Sequence, residues 1–75
     1  MDTDQALLRV LRDAGEPLHW TVIQDRALRA GDLDPSVPGG PRRSVLASLA
    51  GLVERGQVVK GPGKGVYVAA EPQGR

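Results

Sequence analysis

Seventy-five residues without a cysteine, at a formal net charge of +1, make one small domain that must be held by aliphatic packing. A disulfide framework and a thiolate zinc site are excluded, and no apolar run approaches the ~20 residues that span a bilayer. The acidic start Met1-Asp2-Thr3-Asp4 has no apolar stretch behind it, so a secretory signal is not expected and the cytoplasm, at the nucleoid, is the expected location.

Asp2 or Thr3 can cap a first helix over 3–14, where Leu7, Leu8, Val10, Leu11 and Ala14 recur at spacings of three and four and form one apolar stripe. Gly15 ends that helix and Pro17 prevents its resumption. Leu18-His19-Trp20 is long enough only for a strand-like link. Thr21, with Gln24 three residues on, has the capping-box spacing for a second helix over 21–30. Its expected inner face is Ile23, Ala27 and Ala30, with Leu28 at the margin and Gly31 as the stop.

Residues 31–40 are rich in Gly, Pro and Asp and have no periodicity, which predicts a loop. Pro41 suits the first turn of a third helix over 41–55. Val45, Leu46, Leu49, Leu52 and Val53 are its expected buried stripe, and Gly56 its stop. Two β-branched runs, 57–60 and 66–69, flank Gly61-Pro62-Gly63-Lys64-Gly65 and predict a hairpin, with Pro62-Gly63 suited to the centre of a type II turn. The domain is expected over 1–69, with 70–75 as a frayed tail. Helix, short strand, helix, loop, helix and hairpin is the order of an α+β winged helix-turn-helix, three helices with a small antiparallel sheet.

The chain resembles the HARE-type helix-turn-helix family in Gly15-Glu16-Pro17-Leu18-His19-Trp20 leading to Ile23, in Gly31, in Pro41, and in Gly56 followed by Gly63-Lys64-Gly65-Val66-Tyr67. The likeness covers about residues 5–69. It implies a winged-helix fold and either a DNA-binding or a polymerase-associated role. Two departures stand out: Gly40 replaces the hydroxyl cap that the family tends to place before its helix-three proline, and Gly51 lies inside the helix at a cost of roughly 1 kcal/mol relative to Ala.

Charge is unevenly spread: residues 1–34 net −3 and residues 35–75 net +4, which points a polyanion partner to the second half. On a helical wheel the outward face of the third helix holds Arg43, Ser44, Ala47, Ser48 and Gly51, mostly small residues that would let the helix sit deep in a major groove. Arg43 is placed for a guanine edge or a phosphate, Arg42 for a phosphate. Lys60 and Lys64 flank the hairpin tip, either as a wing on the DNA backbone or as lysines that guard a sheet edge against pairing. Arg29 lies four residues after Asp25 and is expected to pair with it. Trp20 is expected to pack on the domain's own sheet rather than on a base.

His19 is the only histidine and has no second ligand beside it, so no metal and no acid–base role is expected. The glycine-rich tip lacks the G-x-x-x-x-G-K-[ST] spacing of a phosphate loop. No enzyme activity and no cofactor are expected. The expected partner is duplex DNA, in a transcriptional or nucleoid-associated role as a monomer. The alternative is a protein-interaction winged helix docking on RNA polymerase or another regulatory protein.

Overall fold

The computed structural model describes residues 2–70. Helix α1 spans Thr3–Ala14, strand β1 Leu18–His19, helix α2 Trp20–Arg29, helix α3 Gly40–Glu54, strand β2 Val58–Lys60 and strand β3 Val66–Ala69. Of the two caps open to α1, Asp2 is used: its carboxylate accepts from the Gln5 N–H at 2.9 Å. The amide of Gly15 closes the other end on the Leu11 carbonyl at 3.1 Å.

Helix α2 starts one residue earlier than the Thr21–Gln24 spacing predicts. His19 is its cap, with Nδ1 accepting from the Thr21 N–H at 3.3 Å and lying 2.8 Å from the Thr21 hydroxyl. The side-chain oxygen of Gln24 is buried without a partner, so no capping box forms. An imidazole nitrogen substitutes for the expected hydroxyl, because β1 already holds residue 19 extended at the edge of the sheet.

The sheet has the order β1-β3-β2, antiparallel throughout, with Leu18 opposite Tyr67 and Val59 opposite Val68. Alternation then puts Leu18, Val58, Lys60 and Tyr67 on the face toward the helices, and His19, Val59, Val66 and Val68 on the other. Three helices and a C-terminal hairpin whose second strand pairs with the link before α2 are a winged-helix architecture.

Leu7, Leu8, Leu11, Leu18, Ile23, Ala27, Val45, Leu49, Leu52 and Val58 form one core, against which Val10, Ala14, Leu28, Val53 and Tyr67 pack. Leu33 joins it, buried from within the loop, so that segment anchors the helices instead of merely linking them. Two expected core residues lie outside it: Ala30 is exposed beyond the end of α2, and Leu46 is half-buried at the surface of α3. Strand β2 starts one residue later than expected, and Ala70, expected in the tail, is tied just past the strands by its amide donating to the Gln57 carbonyl at 3.0 Å. The expected tail at 71–75 lies outside the described residues.

A polar clasp joins the two ends of the helical layer. Asp4 of α1 accepts from the hydroxyl of Ser48 and from the guanidinium of Arg55, which flanks α3. The Ser48 bond, and after it the bond and the charge of Arg55, hold the Asp4 carboxyl below its ordinary value of 3.8 against the opposing effect of partial desolvation. A carboxyl depressed by folding adds stability above its unfolded value, and that stability is lost as pH falls through the folded one. Asp4→Asn is therefore expected to melt below the wild type at pH 7, with the two melting temperatures converging as pH drops below about 4. A gap in melting temperature that stays constant down to pH 2.5 would show that the carboxylate charge contributes nothing.

Candidate nucleic-acid interface

Helix α3 begins in an unusual way for its position. Gly39 and Gly40 both have positive φ, +82° and +84°, and turn the chain sharply into Pro41. No side chain caps the helix and no acid lies in its first turn. Instead Arg42 and Arg43 stand there, both exposed. The N-terminal end of a helix carries roughly half a positive charge, so cations in its first turn are unfavourable by about 0.3–1 kcal/mol each. Neither arginine has a carboxylate partner among the described residues, whereas Arg29 pairs with Asp25 at 3.1 Å and Arg55 with Asp4.

The stem of Arg43 folds back across Gly39, where a Cβ would lie 2.7 Å from the arginine Cδ. Arg42 goes the other way, and its guanidinium carbon lies 5.5 Å from the centre of the Trp20 ring. Between and beyond them Leu46 and Ala47 line a shallow open depression together with Gly39. Ala47 and Ala50 are exposed, so the outward face of α3 is low and unobstructed past its first turn.

Two residues expected on that face are turned away from it. Ser48 is half-buried and its hydroxyl is engaged by Asp4, and Gly51 lies beneath Arg55, whose guanidinium would be 3.4 Å from a Cβ there. Residues 44, 48, 51 and 55 follow one another at spacings of four, three and four, a stripe that carries the clasp to α1. Ser44 belongs to this stripe and is half-buried. The outward-face assignment of Ser48 is therefore corrected. The small residues at 48 and 51 serve the clasp, and the outward face of α3 is made instead by Arg42, Arg43, Leu46, Ala47 and Ala50. Leu46 and Ala50 are missed by a wheel drawn with Leu46 in the core.

The wing is closed by a turn two residues later than the sequence suggests. The Val66 amide donates to the Gly63 carbonyl at 3.2 Å, so Lys64 and Gly65 are the central residues, and Gly65 at φ +74° takes the position for which Pro62-Gly63 supplied Gly63. A Cβ at residue 65 would lie 3.0 Å from His19 Nε2 and 3.1 Å from Trp20 Cδ1, and its carbonyl accepts from the Trp20 amide at 2.9 Å. Only glycine meets both demands, the left-handed backbone and the close approach. Lys64 stands at the exposed tip, while Lys60 is exposed on the helix-facing side of the edge strand.

No family model, curated protein or solved structure matches the chain. The winged-helix assignment rests on element order and sheet topology. Trp20 is half-buried and packs against the core, as expected, but it also touches both candidate binding elements: Arg42 of α3 lies over its ring and Gly65 of the wing against its edge. A second depression, between α1 and α2, is lined by Arg9, Val10, Asp13, Arg26, Ala30 and Asp32, whose mixed charge gives a polyanion no net attraction. Among the described residues no group of three His, Cys, Asp or Glu is placed to hold a metal ion.

Proposed function

We propose that this winged helix is a non-enzymatic DNA-binding protein of the cytoplasm, acting in transcription or at the nucleoid. Helix α3 enters the major groove and the wing lies on the backbone. The observation that carries this reading is the first turn of α3, where two arginines without carboxylate partners sit at the uncapped, positive end of a helix. That arrangement is unfavourable for the free protein and favourable against phosphate. In this reading Arg43 reaches a base edge, Arg42, Lys60 and Lys64 hold phosphates, and Ala47 and Ala50 admit the groove wall. The resemblance to HARE-type domains supports the same role through the residues quoted for it above.

Titration of binding to random duplex with salt tests it. Four cations at the interface are expected to give a log–log slope of about −3 to −4. Binding that is weak and indifferent to salt would overturn the DNA reading. The second reading, a docking module for RNA polymerase or another protein, is favoured by the apolar Val59–Val68 pair on the outer sheet face, where Val59 is 50% exposed. In that case Val59→Lys is expected to abolish capture of the protein partner while leaving the fold intact.

A further inference from the structure

We propose that Trp20 is the positioning residue of this interface: its ring fixes Arg42 and the wing tip relative to each other, which makes Arg42 a preset phosphate clamp and leaves base reading to Arg43. The inference rests on the DNA-binding reading and adds a division of labour within the same site. A guanidinium held over an aromatic face by its charge leaves its N–H donors available to a second partner. The 5.5 Å separation of Arg42 from the Trp20 ring centre falls within the cation–π range. Held over the ring in this way, Arg42 loses less freedom on meeting a phosphate than a free arginine would. Arg43 lies, stem and guanidinium, against the bare Gly39 backbone, with no ring beneath it.

The same residue is tied to the wing by two features that do not involve Arg42, one through its backbone and one through its ring. The Trp20 amide donates to the Gly65 carbonyl at 2.9 Å, and the absent side chain of Gly65 lets the turn close on the ring edge, where a Cβ would lie 3.1 Å from Trp20 Cδ1. His19 completes the seat, with its ring centre 5.7 Å from that of Trp20 and its Nε2 against the same glycine. One half-buried side chain, rooted in the core, thus spans the two elements that would meet the duplex.

Two measurements test this on the whole chain. Trp20 is the only tryptophan, so its emission reports this ring alone. In the free protein, Arg42→Gln is expected to raise acrylamide quenching of Trp20, and unchanged quenching would show that the stack does not persist in solution and overturn the proposal. On fluorescent random duplex, Arg42→Gln is expected to weaken the wild type roughly fivefold to tenfold but a Trp20→Leu background less than twofold, while Trp20→Leu alone lowers the salt slope by about one. Trp20→Phe, which keeps a ring face, is expected to restore most of the loss. Additive effects of the two substitutions would overturn the proposal and leave the DNA reading standing. Failure of the wild type to bind duplex would remove both. Should Trp20→Leu melt below assay temperature, Arg42→Lys decides: it keeps the charge but loses the broad guanidinium that reaches over the ring and is expected to fall between Gln and wild type, and wild-type affinity for it would overturn the proposal.

Discussion

Leu49→Ala is expected to lower the unfolding free energy by about 2–5 kcal/mol, the range for truncating a fully buried leucine. Leu49 is 0% exposed and lies in the core with Val45 and Leu52 of the same helix and with leucines of α1. A chain of this length has about 4–11 kcal/mol in total, so the variant is expected to be partly unfolded at moderate temperature. Leu46→Ala is the matched control. Leu46 is half-buried outside the core, three residues away, and its truncation is expected to cost less than about 1 kcal/mol. Urea melts of both variants give the difference directly. Equal losses would mean that α3 is rotated from the phase seen here.

Arg43→Ala and Lys64→Ala are expected to weaken DNA binding in different ways. Loss of a bidentate base contact costs about 1–3 kcal/mol at one base position, so Arg43→Ala should flatten the preference there. Loss of a phosphate contact weakens all sequences alike and reduces the salt slope by about one, which is the expectation for Lys64→Ala. Both side chains are exposed, so the fold should survive and the binding effect be interpretable. Affinities for a selected site and for random duplex at several salt concentrations separate the two behaviours. If both folded variants bind both duplexes as the wild type does, helix and wing are not the contact surface.

Most of the fold can be read from local signals. The stripe of α1, the stops at Gly15, Gly31 and Gly56, Pro41 at the opening of α3 and the two β-branched runs each act within a few residues, and the structure places its elements accordingly. What escapes such reading depends on partners far along the chain. Ser48 looks like an outward residue until Asp4, 44 positions away, is brought beside it. The tip Gly61-Pro62-Gly63-Lys64-Gly65 offers two turns of similar quality. The choice between them falls to β1, because only a glycine at residue 65 can close against His19 and Trp20.

The candidate interface was legible in part. Arg42, Arg43, Lys60 and Lys64 are exposed where charge and element order put them. Their relation to one another was not legible, since it runs through Trp20, whose contact with Arg42 crosses from α2 to α3. A helical wheel has no way to show this, because it draws one helix at a time. The single signal in the sequence was the spacing of Ser44, Ser48 and Gly51, small residues in a row, which marks a side where another helix comes close.

The middle position of β3 in the sheet sets an order of events during synthesis. Neither β1 nor β2 touches the other, and each pairs only with the strand that is made after both. The partner of Leu18 is Tyr67, so β1 waits for nearly fifty further residues before its first ladder bond can form. Until Ala69 has left the ribosome the nascent domain is a helical cluster with two unpaired strands. The contact between Trp20 and Gly65 has to wait for the same strand, because it too closes a long loop onto the last hairpin.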